Sequence, residues 1–401
     1  MKFGGTSLAD ISRINSAALK IKKEILKGYS VIVVVSAMSG TTNNLIKLVK
    51  GIDESFDLSE HDTVVSTGEQ ISSGLITIAL QAIGIKAKSF AGWQIPIITD
   101  EHFGKASINE IKTSNIVNEL KKDKVPVISG FQGITSSNRV STLGRGGSDT
   151  SAVAIAAAFN AERCDIYTDV DGVYTTDPRI EPKAVKLNFI TFEEMLELSS
   201  QGAKVLHARS VALAMNHNVK LQVLSSFDNK PGTMIVNEDS NMEKTKISGV
   251  AYSSNEAKIT LYNVMDKPGQ AANIFGTLAD NAINVDMIVQ SSTLDGSATD
   301  ITFTVLETDL ANTIQIIQRL KEDINFTHIL EDSKVTKVSV VGSGMRTKPG
   351  IAKTMFETLA RNNINIQVIS TSEIKISVLI SSEYTELAVR TLHEAFELDK
   401  I

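Results

Sequence analysis

The sequence predicts an α/β protein in which a mainly parallel sheet is followed by two smaller ferredoxin-like modules. Two observations predict this fold class. Through about the first 240 residues, short apolar runs alternate with helical patterns and are joined by glycine-rich turns, which is typical of βαβ units. Beyond that point one strand–loop–helix–strand pattern occurs twice without a gap, which indicates a duplication.

Length and composition describe an ordinary soluble protein with more than one domain. The chain has 401 residues, too many for one hydrophobic core, with 42% hydrophobic and 21% charged residues. The longest apolar run, 31–35, is far too short to span a bilayer, and the N-terminus lacks the apolar core of a signal peptide. We therefore expect a cytoplasmic protein without a membrane partner.

Cysteine content and charge exclude further classes. The single cysteine, Cys164, excludes an intramolecular disulfide, and with six scattered histidines it argues against a metal site built by the protein. The net charge of −6 argues against a nucleic-acid partner. Anionic substrates would therefore require cations that are concentrated locally.

Apolar and alanine-rich runs predict the strands and a helix of the first 240 residues. Apolar runs at 31–35, 125–130 and 164–168 predict buried strands, and the alanine-rich run 150–160 predicts a helix. Because parallel sheets bind ligands at the carboxyl ends of their strands, the polar residues after these runs are candidate site residues. A Lys-Pro-Gly turn and a polar stretch then place the end of the first domain, 1–238.

The second part of the chain is an internal repeat. Two pairs of matched residues share a spacing of 81 positions: Pro268 with Pro349, and Asn284 with Asn365. The repeat predicts two βαββαβ modules, at 247–330 and 331–401. The strand 247–253 is in excess of the first repeat, and we expect it to pair into the second module.

Four polar or glycine-rich clusters mark the first part of the chain: 2–7, 36–43, 66–73 and 142–150. The first can bring backbone and a lysine to phosphate, although an ordinary strand-to-helix turn explains it equally well. The hydroxyls of the second either bind a ligand or cap a helix, and capping alone is favoured for that segment in isolation. In the third, Glu69 can bind an ammonium group, and it also has capping-box spacing from Ser66.

The fourth cluster is the most specific. Three glycines free the backbone, the following helix N-terminus favours an anion, and Arg145 can bind a carboxylate through two hydrogen bonds. A later segment, 167–178, is either an acidic surface turn or a nucleotide-binding loop, whose acids then face elsewhere or meet Mg²⁺. The sequence contains neither a P-loop nor the protein-kinase motifs.

Together these clusters resemble the aspartate kinases (aspartokinases) of the amino-acid kinase superfamily, over nearly the whole chain. Six segments occur in the family's order: 2–7, 66–69, 130–133, 142–150, 167–178 and 192–195. The repeated modules resemble the tandem ACT domains of the monofunctional, feedback-inhibited enzymes. The resemblance implies a three-layer αβα amino-acid-kinase sheet and two ferredoxin-like (βαββαβ) ACT domains. It also implies phosphoryl transfer from ATP to L-aspartate, giving 4-phospho-L-aspartate for lysine, threonine, methionine and diaminopimelate biosynthesis.

The resemblance implies a role for each matched residue. The nucleotide would be bound, with Mg²⁺ held mainly through it, by Lys2, Phe3, Gly4, Gly5, Tyr167, Thr168, Val173, Tyr174, Thr175, Thr176, Asp177 and Pro178. L-Aspartate would be bound by Ser36, Thr42, Glu69, Arg145 and Ser148. The catalytic residues would be Lys2, Glu69, Asp149, which organises the lysine, and Lys204, which supplies a second cation.

The ACT resemblance implies a site for lysine, threonine or both as effectors, and pairing of subunits into a homo-oligomer. The candidate effector residues are Asp266, Asn284, Asp286 and Gln290 in the first copy, and Asn365, Ile366 and Thr371 in the second. Both acids of the first copy are neutral in the second, so we predict that the first copy is the primary effector site. The alternative is that both copies are structural dimerisation modules.

One feature departs from the family pattern. Family members usually carry several strand residues before the Lys-Phe-Gly-Gly segment, whereas Met1 directly precedes Lys2 here. The first, central strand is therefore expected to be truncated or missing. Two other functions stay open: a kinase for glutamate or acetylglutamate, for which tandem ACT modules are not expected, and an amino-acid sensor without catalysis.

Overall fold

The computed structural model describes residues 1–200, 205–237, 247–292, 298–346 and 350–401. These residues form two compact units. The first comprises Met1–Val173, Lys186–Ser200 and the described residues of 205–237. The second comprises Tyr174–Val185 and the described residues from 247 to the C-terminus.

The first unit alternates strands and helices. Its strands are β1 (Lys2–Phe3), β2 (Val33–Val35), β3 (Ala87–Phe90), β4 (Ile97–Thr99), β5 (Ile108–Ile111), β6 (Val125–Ser129), β7 (Gln132–Ile134), β8 (Val140–Thr142), β9 (Cys164–Thr168), β10 (Phe189–Thr191), β11 (Leu221–Ser225) and β12 (Thr233–Val236). Its helices are α1 (Ile11–Leu26), α2 (Thr41–Lys50), α3 (Leu58–Val65), α4 (Thr67–Ala82), α5 (Ser114–Leu120), α6 (Gly147–Ala158), α7 (Phe192–Ser200) and α8 (Ala208–Asn216).

An eight-stranded sheet, in the order β10-β12-β11-β9-β1-β2-β6-β3, forms the middle layer of this unit. All neighbouring strands are parallel except β11 and β12. The apolar faces of α1 and α4 share one core with β1 and β2, while α6 contacts the same strands and α8. The predicted three-layer, mainly parallel sheet is confirmed.

The first strand is short but present at the centre of the sheet. Lys2 and Phe3 pair with β2 on one side and β9 on the other, and the Met1 ammonium donates to Ile32 O at 2.8 Å. Because side chains alternate along a strand, Phe3 enters the core under α1 and α4, whereas Lys2 points to the α6 side. The hydrogen bond of the terminal ammonium therefore extends the contacts of this two-residue strand with β2.

Helix α6 begins three residues before the predicted start at 150. Gly146 has a left-handed φ of 70°, which a side chain would disfavour, and the helix starts at the next residue. Almost all of α6 is buried, so it has no polar face. The early start places Ser148 and Asp149 in the first turn.

A small sheet, in the order β5-β4-β7-β8, lies beside the main one in the first unit. Only β4 and β7 are parallel to each other; the two outer pairs are antiparallel. Its last strand, β8, ends at Thr142 and leads directly into the glycine loop before α6. The loop that carries Arg145 is therefore anchored by a sheet on one side and a helix on the other.

The second unit contains strands β13 (Gly249–Met265), β14 (Val285–Ser292), β15 (Ala298–Leu306), β16 (His328–Val341), β17 (Val368–Thr371) and β18 (Lys375–Ser381). Its helices are α9 (Gln270–Asp280), α10 (Leu310–Arg319), α11 (Lys321–Ile324), α12 (Ile351–Arg361) and α13 (Thr385–Ala395). The strands form one antiparallel sheet in the order β14-β15-β13-β16-β18-β17, and two apolar clusters lie under its helices. The predicted pair of ferredoxin-like modules is confirmed.

Two long strands serve both modules. The first residues of β13, from Gly249 to Ser253, pair with the last residues of β16, while its later part pairs with the start of β16 and with β15. Strand β16 is continuous across the predicted boundary between 330 and 331. Each module therefore obtains its fourth strand from the other's long strand.

The segment Tyr174–Val185 packs with the second unit, although it precedes the predicted domain boundary by more than 50 residues. Ile180 lies in the apolar cluster beneath α12 and α13, and Arg390 Nε donates to its carbonyl at 2.8 Å. Burial of Ile180 in this cluster explains why the segment packs with the second unit. Among the described residues of both units, no helix has the length and apolar character needed to cross a bilayer.

Candidate active site

Most predicted site residues of the first unit lie in or after β1, β2, β8 and β9, and Glu69 lies in α4. Gly4 N donates to Tyr167 O at 3.1 Å, and the rings of Phe3 and Tyr167 are stacked with centroids 4.8 Å apart. A Cβ on Gly5 would lie 2.9 Å from Ala37 O, so the glycine loop packs directly on the segment after β2. The loop thus requires glycine for this close approach.

Lys2 is held by an ion pair. Its Nζ lies 2.5 Å from Asp149 Oδ1, and both side chains are about nine-tenths buried. A Cβ on Gly4 would lie 3.6 Å from the same Nζ, so the ammonium lies beside the glycine loop. These contacts support the roles that the resemblance implies for both residues. The Phe3 side chain is fully buried, so only its backbone is left for a nucleotide contact.

Glu69 is a buried carboxylate with one free oxygen. Its Oε1 accepts from Ala37 N at 3.0 Å, and its Oε2 has no hydrogen-bond partner among the described residues. Burial raises the pKa of Glu69 to about 7, because desolvation disfavours the charged form. A capping box is not formed, since Ser66 provides no side-chain cap for α4. This carboxylate can accept hydrogen bonds from an ammonium group.

The remaining residues predicted to bind aspartate lie at helix starts and strand ends. Ser36, directly after β2, and Thr42, in the first turn of α2, are half-buried. Helix α2 begins after Gly40 without a side-chain cap, so the predicted capping role of this cluster is wrong. Ser148 is buried and packs on Gly130. A Cβ added to Gly130 would lie 3.0 Å from the Ser148 Cβ.

Arg145 lies between two glycines with left-handed backbone, Gly144 and Gly146, and its side chain is exposed. None of the described residues pairs with its guanidinium. A Cβ on Gly146 would lie 2.3 Å from the ring of His207, so only glycine fits there. An unpaired, exposed guanidinium beside a helix N-terminus is available to bind a carboxylate.

Sequence analysis missed three residues around this loop. His207 packs on Gly146; its burial, with the charges of Arg145 and Lys2, lowers its pKa against the opposite effect of Asp149. The other two are Asp62, which accepts a hydrogen bond from Thr142 N, and Arg209, which donates one to Leu143 O. For Asp62 a signal existed, because an acid occupies a helical position three residues before the buried Val65.

The predicted nucleotide residues divide between the two units. Tyr167 and Thr168 end β9, and Val173 N donates to Thr233 Oγ1 at 2.8 Å in the first unit. From Tyr174 onward the chain belongs to the second unit. Thr176 is buried there and Pro178 is exposed.

Thr175 is engaged inside the second unit. Its fully buried hydroxyl lies 2.9 Å from His393 Nε2 and accepts from Val185 N, and its carbonyl accepts from Val250 N at 2.7 Å. No polar atom of the Thr175 side chain is therefore left free for the nucleotide contact that the resemblance implies.

Two acids of the nucleotide segment, Asp171 and Asp177, are paired with cations. Asp177 binds Arg179 through both oxygens, and this arginine lowers the pKa of Asp177 below its ordinary value. Asp171 lies 3.3 Å from Lys186. These two acids therefore face cations of the protein itself. Lys204 lies outside the described residues.

The predicted effector residues lie on the surface of the second unit. Exposed positions are occupied by Asp266, Asn284, Asp286, Gln290, Asn365 and Thr371, and Ile366 is half-buried. Asp286 forms an ion pair with the buried Lys337, which also lies 3.2 Å from Glu256. Among the described residues, no group of three metal-binding side chains occurs in either unit.

Comparison with known proteins gives one family match in the first part of the chain and two in the second. Residues 1–225 match the amino acid kinase family, and residues 259–325 and 338–396 each match an ACT domain family. An aspartate kinase of Pseudomonas putida is 49% identical over 399 residues, which cover 99% of this chain and 97% of that protein.

Two solved structures of aspartokinase III from E. coli share the fold. The complex with aspartate and ADP has a TM-score of 0.83, and the complex with lysine and aspartate has 0.76. Both are 26% identical and cover 98% of each chain. The chain therefore belongs to the aspartate kinases, phosphotransferases of the amino acid kinase family that carry two C-terminal ACT domains.

Proposed function

We propose that this aspartate kinase transfers the γ-phosphoryl group of ATP to the side-chain carboxylate of L-aspartate, giving ADP and 4-phospho-L-aspartate. The observation that carries the proposal is the buried Glu69 with its free oxygen. Glu69 binds Ala37 N, and Ala37 packs on Gly5 of the loop beside Lys2. Ala37 therefore connects the proposed ammonium site at Glu69 with the proposed phosphate loop at Gly5.

Glu69 and Arg145 would orient the substrate together. Glu69 would bind the α-ammonium and the exposed Arg145 the α-carboxylate, with Ser36, Thr42 and Ser148 as further contacts. Fixing both α-groups directs the side-chain carboxylate toward ATP. A substrate without an α-ammonium would leave Glu69 buried and unpaired, which favours an amino acid as substrate.

No general base is needed in this reaction. A carboxylate with an ordinary pKa near 4 is already ionised at neutral pH. The obstacle is repulsion between two anions, which Lys2 would reduce by neutralising charge on the transferred phosphoryl group. Asp149 holds the Lys2 ammonium in place. The proposal also includes Lys204 as a second cation.

Mg²⁺ would be held mainly through the nucleotide phosphates. Asp177 and Asp171 of the nucleotide segment pair with Arg179 and Lys186 instead. When bound, Mg²⁺ neutralises phosphate charge. The chain's own contribution would be the glycine loop and Lys2.

The regulatory proposal rests on the ACT modules. We expect inhibition by lysine, threonine or both, with the first copy as the primary site, as part of the biosynthesis of amino acids derived from aspartate. The lysine complex of the E. coli enzyme supports a lysine site of this kind. Pairing of ACT modules between subunits would make the protein a homo-oligomer.

A coupled assay for ADP tests the proposed reaction. Turnover should require L-aspartate and not occur with glutamate or acetylglutamate. Arg145→Ala should raise KM for aspartate or abolish turnover while ATP binding is largely kept. Normal activity in that variant would contradict the assignment of Arg145, and amino-acid binding without ADP release would instead favour a sensor without catalysis.

A further inference from the structure

We infer that Asp62 and Arg209 are positioning residues that hold the loop carrying Arg145, so that affinity for aspartate depends on two side chains that do not contact it. This inference rests on the role proposed for Arg145. It concerns the short path from Thr142 to Gly147, through which β8 passes into α6.

Asp62 is a fully buried carboxylate on α3 that binds backbone from two different segments. Its Oδ2 accepts from Gly104 N at 2.8 Å and from Thr142 N at 2.7 Å, and its Oδ1 accepts from Thr142 Oγ1 at 2.8 Å. Burying a carboxylate is costly unless it is well hydrogen-bonded, so these donors are what keeps it in the interior. The same contacts fix Thr142 against residue 104.

Arg209 binds the neighbouring carbonyls from α8. Its Nη1 donates to Leu143 O at 2.6 Å, and its Nη2 donates to Ala106 O at 2.7 Å. The planar guanidinium can make both bonds at once, which a lysine cannot reproduce. Arg209 therefore joins the same two chain segments that Asp62 joins, from a different helix.

Together these contacts satisfy every backbone polar group just before the glycine loop. Thr142 O accepts from Ala106 N at 2.9 Å, and Leu143 N donates to Phe131 O at 2.8 Å. The N–H and C=O groups of both Thr142 and Leu143 are thus all engaged. The chain is fixed two residues before Arg145.

The other end of the loop is fixed as well, because α6 begins at Gly147 and Gly146 packs on His207. Arg145 lies midway between these anchors, two residues after Leu143 and two residues before Gly147. A small displacement of a binding group costs much affinity, because its bidentate geometry is lost. Asp62 has no exposed surface, so its effect on aspartate must pass through the loop.

Steady-state kinetics of Asp62→Asn test the inference. The amide keeps the shape of the side chain but removes its negative charge, which weakens the hydrogen bonds that it accepts from the two backbone N–H groups. We expect KM for aspartate to rise about ten-fold, with KM for ATP changed by less than about two-fold. The matched control is Glu60→Gln on the same helix, which removes only an exposed ion pair with Arg139 and should change neither KM.

A second pair of variants keeps the test valid if Asp62→Asn does not fold. Thr142→Val removes the hydroxyl bond to Asp62 and leaves the backbone bond, so KM for aspartate should rise by a smaller factor. Thr142→Ser restores the hydroxyl and should restore KM. Equal changes in both KM values, or an unchanged KM for aspartate in Asp62→Asn and Thr142→Val, would overturn the inference.

A double-mutant cycle separates this inference from the proposed function. If Asp62 acts through Arg145, Asp62→Asn adds no further loss in an Arg145→Ala background, whereas independent effects would be additive. Additive losses would overturn the positioning role. Normal kinetics of Arg145→Ala alone would overturn the proposed role of Arg145 and leave the changed KM of Asp62→Asn as evidence for a different contact from the loop.

Discussion

In the part of each unit that the structure describes, one lysine is buried beside a carboxylate, and the two lysines differ in what surrounds them. Lys2 has one partner, Asp149, and lies next to the backbone of a glycine loop. Lys337 has two partners, the buried Glu256 and the half-exposed Asp286, so its surroundings carry one negative charge in excess. In the proposed function the first arrangement faces an anion, whereas the second carries one carboxylate more than its lysine can neutralise.

The second unit shows the same contrast within its repeat. Asp286 of the first copy corresponds to Gln367 of the second, and each is bound by a lysine from the other copy's long strand. Lys337 binds Asp286, and Lys258 Nζ lies 2.5 Å from Gln367 Oε1. The geometry is duplicated but the negative charge is not, which supports a cation-binding role for the first copy alone.

The largest expected effect is on stability. Lys337→Met should lower the free energy of unfolding of the second unit by about 3–5 kcal/mol, because Glu256 and Asp286 lose their cation and Glu256 stays buried. Calorimetry would show this as unfolding of the second unit at a lower temperature. The control is Lys353→Met, whose exposed contact with Glu357 should contribute less than about 1 kcal/mol. A shift no larger than that of the control would contradict the comparison.

The next effect is on catalysis. Lys2→Met should lower kcat by about 100-fold to 1,000-fold, because a cation that stabilises charge in the transition state is lost. Initial-rate kinetics with saturating ATP and aspartate would measure it. Lys23→Met removes an exposed lysine from α1 and should leave kcat unchanged. If Lys2→Met retained normal kcat, Lys2 would be a structural residue like Lys337.

A pH effect should distinguish Glu69 from these two ion pairs. Its pKa is raised to about 7, so the carboxylate is protonated at lower pH and cannot pair with an ammonium. KM for aspartate should therefore rise about ten-fold for each pH unit below this value and be constant above it. Glu69→Gln should have a high KM that is independent of pH. A flat profile in the unmodified protein would argue against ammonium binding at Glu69.

The smallest expected effect concerns the effector site. Asp286→Ala should raise the concentration of lysine or threonine needed for half-inhibition by about ten-fold, because a charged hydrogen bond is lost. Gln367→Ala, at the equivalent position, should change it by less than about two-fold. Inhibition curves of the two variants test whether the copies differ in function. Equal shifts would mean that the charge difference between the copies has no role.

The candidate site was partly predictable because its signals are local. Arg145 between glycines, Lys2 beside Gly4, and the acid among hydroxyls at 66–73 are all visible as short patterns. The pairing of Lys2 with Asp149 came only from the family resemblance, and the other contacts around the site were not predictable. Ala37 is 32 positions from Glu69 and Asp62 is 80 positions from Thr142, and no pattern in one sequence links such positions.

The sequence by itself determined the fold class, the duplication and the order of the site segments, because apolar periodicity, glycine spacing and repeats are properties of neighbouring residues. Tertiary structure alone decided that the two-residue β1 forms between β2 and β9, that Tyr174–Val185 pack with the second unit, and that Lys337 neutralises Asp286. Each of these depends on burial and hydrogen bonding between distant segments. Such contacts form only when the whole chain has folded, and that is where the positions of the charged groups are fixed.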